Sequence, residues 1–141
     1  MGGKYNNNVG RVINKVEFLS SYKFSIAMEN TEGDGYASEK IIESFISGTI
    51  PIYYGDYMID EYINPKAFIL IRGEKDMMTK IDYIKKIDNN DKLYRSILKE
   101  NLFVDNEKPK QILKEYEEFL LHIFEQDKIN AKRIDKINEY F

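Results

Sequence analysis

The sequence has 141 residues, 43% hydrophobic and 13% aromatic, with a net charge of −3; that is enough apolar side chain for the core of one domain, or of part of a larger one, and it excludes a disordered chain. The near balance of 21 basic and 24 acidic residues argues against a nucleic-acid partner, the absence of cysteine removes disulfides and thiolate metal sites, and the one histidine, His122, cannot make a histidine-rich metal site. No apolar run reaches the roughly 18 residues that span a bilayer and the polar start MGGKYNNNVG has no signal-peptide pattern, so the expected compartment is the cytoplasm.

Residues 1–10 are rich in glycine and asparagine and read as a loop. Val12, Ile13, Val16 and Leu19 fall at helical spacing. Lys23 to Met28 (KFSIAM) alternates and predicts a buried strand. Ser38 to Ser47 predicts a helix with Ile41, Ile42, Phe45 and Ile46 on one face, Ser38 at its N-cap and Gly48 at its end. Thr49 to Tyr54 (TIPIYY) is a β-branched and aromatic strand, in which Pro51 is tolerated near the start or at an edge. A short helical connection leads to a third strand, Ala67 to Arg72 (AFILIR). Strands alternating with helices predict a parallel, doubly wound α/β sheet. Three strands are few for that class, so the chain is expected to be part of a larger one, or to have its sheet completed by another chain.

Everything after Arg72 reads as helical: Lys75 to Ile87, Asp91 to Leu102, Gln111 to Phe124 and Lys128 to Phe141. Ile112, Leu113, Tyr116, Phe119, Leu120, Ile123 and Phe124 form an amphipathic stripe that reads as core packing. A membrane surface or a partner helix is the alternative, weakened by the lack of a strong positive excess. His122 beside the stripe reads as a boundary residue without a catalytic role.

The segment ENTEGDGYASEK, Glu29 to Lys40, carries the chemistry. It leaves the end of a strand and passes two glycines into a helix start, where open α/β sheets bind ligands and free N–H groups attract anions. A lysine in a first helical turn is disfavoured by the dipole by several tenths of a kcal/mol, and a bound phosphate would reverse that sign. Lys40 is therefore a candidate phosphate partner, Glu39 a candidate acceptor for sugar hydroxyls, and Asn30 and Tyr36 further polar handles. The same residues also fit a solvated first turn, with the glycines serving the turn alone. Tyr53, Tyr54 and Tyr57 fit either a sugar platform or, preferably, a core Tyr53 with the others at the cleft edge. Asp56, Asp60 and Glu61 read as an acidic, solvated turn in preference to a metal site.

The stretch YKFSIAMENTEGDGYASEKIIESFISGTIPIYYGD, Tyr22 to Asp56, resembles the signature of the α-1,3/4-fucosyltransferases, glycosyltransferase family 10. The family pattern runs approximately Y-K-F-x-[hydrophobic]-x-x-E-N-[ST], then G-Y-[VA]-[ST]-E-K-[hydrophobic], then G-[ST]-[hydrophobic]-P-[hydrophobic]-Y-[WY]-G, and all three blocks occur here in order. INPKAFI, Ile63 to Ile69, is similar to the family's next block, and GGKYNNNVG to the segment upstream of the signature. The similarity covers residues 2 to about 88 well and the helical tail only generally. Met28 stands where an aromatic or aliphatic residue is usual, and Tyr54 where tryptophan is common.

The resemblance implies a GT-B enzyme whose C-terminal Rossmann-like half binds GDP-fucose. Residues 1–88 would be the nucleotide-sugar-binding part, with an incomplete parallel sheet, and 89–141 a helical extension packed on it. Asn30, Tyr36, Glu39 and Lys40 match positions lining the donor site. Lys40 would pair with the diphosphate, and Glu39 would lie by the ribose or fucose. The family transfers fucose to an oligosaccharide acceptor with inversion, uses a carboxylate of its N-terminal half as general base, and has no obligatory metal. That half, and the strands and diphosphate-binding arginine that precede the Gly-Asn segment, are not in this sequence; Arg11, Arg72, Arg95 and Arg133 do not match the arginine's position. The chain alone is thus expected to be inactive or nearly so. Open alternatives are a non-catalytic truncated homologue that binds a nucleotide, a homodimer through the incomplete sheet or the helical tail, and peripheral contact with a membrane.

Overall fold

A computed structural model describes residues 12–127. The glycine- and asparagine-rich start, Arg11, Arg133 and the helix expected over 128–141 lie outside the described residues. The chain divides into two compact units, Met1–Asp105 and Asn106–Phe141.

In the first unit the order is α1 (Lys15–Leu19), β1 (Phe24–Met28), α2 (Glu39–Ile46), β2 (Ile50–Tyr54), a single 3-10 turn (Ile59–Glu61), β3 (Ile69–Leu70), α3 (Glu74–Asp88) and α4 (Asp91–Leu98). The strands form a parallel sheet in the order β1-β2-β3, so the expected α/β class with a partial Rossmann-like sheet is what the chain adopts. Phe24 lies opposite Ile50, Met28 opposite Tyr54 and Ile52 opposite Ile69. The third strand is shorter than the run AFILIR suggested, and Pro51 supplies a reason. Ile50 donates to the Lys23 carbonyl and the Tyr53 carbonyl accepts from Ile71, so alternate residues of β2 face β1 and β3, and Pro51 falls on the β3 side. Having no N–H, it offers no donor to the Ala67 carbonyl, which its place in the register would otherwise pair with, and pairing starts at Ile69.

The two sheet faces bury different sets. Ala27 and Tyr53 pack with Ile41 of α2, with Ile59, Ile63 and Phe68 of the β2–β3 connection, and with the half-buried Ile42 and Phe45. On the other face Ile50 and Ile69 pack with Ile87 of α3 and Ile97 of α4, joined by Phe24, Ile52 and Tyr94. That cover is partial. Ile26, on the same face as Phe24 by alternation, remains 75% exposed, and the outer edge of β1 pairs with no strand among the described residues.

Caps explain the helix limits. Asn14 accepts from the Glu17 N–H (3.2 Å) and starts α1 later than the spacing suggested, leaving Val12 and Ile13 outside it. Gly48, at φ +72°, ends α2. Asn90 accepts from the Leu93 N–H (3.0 Å) at the start of α4. This helix stops at Leu98, short of the expected Leu102, because the following residues return to the core. Asn64 donates to the Leu102 carbonyl (2.9 Å) and Val104 to the Tyr62 carbonyl (3.1 Å), around an antiparallel bridge of Ile63 with Phe103. The segment after Arg72 is therefore not wholly helical.

The second unit contains α5 (Lys108–Glu125), with Pro109 in its first turn, where a missing N–H costs nothing. None of its residues is buried. The stripe that spacing reads as core leaves Ile112, Leu113, Tyr116, Phe119 and Phe124 exposed; periodicity locates an apolar face and says nothing of what covers it. His122 is exposed and lies 2.7 Å from the Gln126 amide nitrogen.

Gly55, at φ +155°, sits where a Cβ would lie 2.4 Å from Glu29 Cγ and 2.7 Å from Glu29 Cβ. Gly55→Ala is expected to lower stability by about 2 kcal/mol through overpacking, a fall of roughly 5–10 °C in melting temperature for a chain of this size. Gly48→Ala, whose Cβ meets nothing within 4 Å, is expected to lose only about 1 kcal/mol from its backbone conformation. Equal losses for the two in thermal denaturation would contradict the close approach at Gly55.

Candidate functional site

Because the strands are parallel, the segments leaving β1, β2 and β3 (residues 29–38, 55–58 and 71–73) emerge at one carboxyl edge. The chain buries two carboxylates there, Glu29 and Asp56. A buried carboxylate persists only where its lone pairs are filled, and the partners of these two define the site.

Glu29 continues the β1 ladder, its N–H donating to the Tyr54 carbonyl (2.8 Å). Its side chain is wholly shielded and accepts from the Ser38 N–H (2.8 Å), the Ser38 hydroxyl (2.9 and 2.7 Å) and Lys40 Nζ (2.9 Å). Ser38 is the N-cap of α2, but its hydroxyl makes no capping bond to the helix. In a capping box the third helical residue would bind the N-cap N–H. That position is Ile41, which cannot, and Glu29 does so from nine residues upstream. Burial pushes the Glu29 carboxyl towards the neutral form; the Ser38 N–H, the Lys40 ammonium and the Ser38 hydroxyl outweigh it and hold the pKa below its ordinary 4.5.

This geometry answers the question of Lys40 in part. The dipole penalty on a first-turn cation seemed to call for an external anion, yet the chain supplies one of its own in Glu29. The ammonium is not used up by that pair. It carries three donor protons, Glu29 is its one hydrogen-bonded partner among the described residues, and the side chain is 24% exposed. Glu39 is exposed on the first turn of α2 beside it, Tyr36 is half-exposed and Asn30 is exposed. Among the described residues these three make no side-chain hydrogen bond, in contrast to their buried neighbours. The fold thus brings Glu39 and Lys40 to the helix start, with Asn30 and Tyr36 on the loop that leads to it.

Asp56 overturns the solvated turn expected over 56–61. It is 1% exposed, and its carboxylate accepts from the Gly35 N–H (2.8 Å), the Met58 N–H (2.9 Å) and the Tyr62 hydroxyl. Its own N–H donates to the Tyr53 hydroxyl (3.1 Å). Burial and then the Asp56 carboxylate hold the Tyr62 phenol far above its ordinary range, so it stays a neutral donor. Asp60 and Glu61 are exposed, as a solvated turn requires, and Asp60 pairs with Arg72 at 2.7 Å. Tyr53 is core, Tyr54 half-buried and Tyr57 exposed, its hydroxyl donating to Glu32.

Sequence reasoning passed over Glu29 and Asp56. The one available signal for Glu29 was its place directly after an alternating strand, where the next inward position is buried. For Asp56 the partners lie 21 residues back and 6 ahead, and no local spacing reveals them. Among the described residues no three carboxylate or histidine side chains converge as metal ligands would, and no helix is long and apolar enough to cross a membrane. A groove of about 490 Å³, lined by Pro65, Lys66, Lys80, Tyr83, Ser96 and Glu100 among others, involves the residues leading into β3 and includes none of the candidate residues. The carboxyl edge is the stronger site because its exposed polar groups are fixed by buried ones.

Comparison with known proteins gives the family. The family model for the C-terminal part of glycosyltransferase family 10 (fucosyltransferase) matches residues 1–124. An α-(1,3)-fucosyltransferase of Helicobacter pylori is 45% identical over 101 residues, which cover 71% of this chain and 21% of that enzyme. α-(1,3)-Fucosyltransferase B of Drosophila melanogaster is 38% identical over 82 residues, 57% of this chain and 18% of that enzyme. The crystal structure of an α1,3-fucosyltransferase with GDP-fucose superposes with a TM-score of 0.73 at 39% identity, over 90% of this chain and 39% of that one. The chain therefore spans about a fifth of the length of the two enzymes. With the sequence blocks, the parallel sheet and the strand–loop–helix edge in agreement, the chain belongs to glycosyltransferase family 10, the fucosyltransferases, and corresponds to the C-terminal part of that family.

Proposed function

We propose that this chain binds the nucleotide-sugar donor GDP-fucose at the carboxyl edge of its sheet, as the donor half of an enzyme that transfers fucose to an oligosaccharide acceptor in α-1,3/4 linkage with inversion. The observation that carries the reading is Lys40 Nζ, held 2.9 Å from a shielded carboxylate at the N-terminus of α2 with donor protons to spare. An ammonium on a flexible stem would lose rotamer freedom on gripping a phosphate; one already anchored loses less. The first-turn N–H groups of α2 add the partial positive charge that favours phosphate.

The chemistry follows from where charge develops. The bond between the fucose anomeric carbon and the β-phosphate oxygen breaks, and GDP departs with one more negative charge. Lys40 and the helix N-terminus meet that charge, which is worth most where it grows in the transition state. The acceptor oxygen attacks from the opposite face, which inverts the anomeric centre, and its proton passes to a base. In this reading the base belongs to the part of the family's length that the chain does not span, so the chain alone binds donor with little or no transfer. Glu39, exposed beside Lys40, stabilises the positive charge that builds on the sugar ring. Tyr36 and Asn30 contact the nucleotide sugar from the loop, and the reading needs no obligatory metal.

A second reading, an assembly role, draws on Ile26 at 75% exposure and on the outer edge of β1, which pairs with no strand among the described residues. It makes self-association independent of nucleotide.

Calorimetry with GDP separates them. Wild-type chain is expected to bind GDP and Lys40→Ala to bind roughly 10–100-fold more weakly, as the loss of a charge-assisted hydrogen bond predicts, with the fold retained. Absence of GDP binding by the wild-type chain, or equal binding by Lys40→Ala, would defeat the proposal. A second measurement concerns Glu29 alone. Its lowered pKa means that the stability it contributes is present above its ordinary 4.5 and is lost as pH falls through the folded value. Glu29→Gln is expected to be less stable than wild type at pH 7 and to lose less on acidification below about pH 4.5. Parallel stability–pH curves would contradict the charged Glu29.

A further inference from the structure

Asp56 is buried and used by nothing in the transfer chemistry. Among the described residues no lysine or arginine pairs with it. Its carboxylate is held instead by uncharged donors: one oxygen takes the Gly35 and Met58 N–H groups at 2.8 and 2.9 Å, and the other the Tyr62 hydroxyl. Gly35 belongs to the β1–α2 loop, whereas Met58 and Tyr62 belong to the β2–β3 connection. The bond to Gly35 thus joins two separate loops of the edge. Gly35 has φ +72° and directly precedes Tyr36. A second tie runs parallel to the first: the Tyr57 hydroxyl donates to Glu32, and the Tyr57 carbonyl accepts from Arg72 at 2.8 Å.

We infer that Asp56 is a positioning residue for the donor loop: its carboxylate clamps the Gly35 amide to the end of β2 and so sets the direction in which the adjacent Tyr36 leaves that loop before any ligand arrives. The inference rests on the donor-binding reading above and adds a residue to it. A clamp on the backbone has two advantages over contacts made by Tyr36 itself. It leaves the tyrosine ring unencumbered, half-exposed and without a hydrogen bond among the described residues. It also removes the ordering cost that a mobile loop would meet on binding. Gly55 makes the arrangement possible, since it has no side chain to press on Glu29 or on the Tyr53 hydroxyl that accepts from the Asp56 N–H.

The test combines two readouts on the full chain, GDP affinity by calorimetry and hydrogen exchange at the Gly35 amide by NMR. Asp56→Ala is expected to bind GDP at least tenfold more weakly and to speed Gly35 exchange at least tenfold, while the β1 and β2 amides keep their protection. Asp56→Asn keeps an acceptor oxygen for Gly35 and Met58 and turns its amide towards Tyr62 Oη, which can accept, so most of the affinity and protection should return. Tyr62→Phe removes the hydroxyl and spares the Gly35 bond, so GDP affinity should stay within about threefold of wild type. Gly35 exchange unchanged in Asp56→Ala, or GDP affinity unchanged there when the wild type binds, would overturn the inference. Should Asp56→Ala fail to fold, Asp56→Asn decides: loss of Gly35 protection in a folded Asn variant also overturns it. A wild-type chain that ignores GDP would refute the donor-binding reading, and the clamp would then stand or fall on Gly35 exchange alone.

Discussion

The Glu29 carboxylate is the interaction on which the carboxyl edge depends. A charge taken out of water is retained only when its partners offset the loss of hydration. Here the Ser38 N–H, the Ser38 hydroxyl and the Lys40 ammonium do so together. The consequences run outward in three directions. The helix α2 gains its N-cap partner from the residue that follows β1, which ties the start of the helix to the end of the strand. Lys40 is anchored at one proton and presents the rest. Gly55 must lack a side chain, because the Glu29 stem occupies the space a Cβ would need.

Asp56 complements this from just past the end of β2, with no lysine or arginine partner among the described residues. Glu29 fixes the helical end of the β1–α2 loop and Asp56 its tip, so a segment with few apolar contacts of its own is held at both places by buried acceptors. Loops carry function when a rigid scaffold positions them. Here the scaffold reaches into the loop through two carboxylates, and the candidate residues Asn30 and Tyr36 on the loop and Glu39 at the start of α2 have no side-chain hydrogen bond among the described residues.

Much of this was legible in the sequence. The alternating run gave β1, β-branched and aromatic content gave β2, and the spacing of Ile41, Ile42, Phe45 and Ile46 gave α2, yet the faces differ in part: β1 buries Ser25 and Ala27 and leaves Ile26 exposed, and Ile46 is exposed on α2. Strand–glycine–helix order pointed to the edge as a candidate and left a solvated turn open, whereas the family followed from blocks that match residue by residue. What spacing did not reveal was non-local. β3 is short because of a proline in another strand. The residues after Leu98 leave the helix to pair with residues 62–64. Asp56 looked solvated because its acidic neighbours are, while its own partners come from distant points of the chain. The α5 stripe has the right period for burial and is exposed, since a period marks a face and leaves its cover unspecified. Lys40 is the instructive case: the dipole argument correctly called for an anion beside it and missed that a residue of the same quoted segment provides one.

The central claim, that Glu29 is a buried and ionised anchor, is most directly tested by following the Glu29 side-chain carboxyl carbon by NMR from neutral pH into acid. The account predicts titration below the ordinary 4.5, with the Ser38 amide resonance moving in the same transition. A carboxyl that titrates at or above 4.5, or a Ser38 amide indifferent to it, would contradict the account.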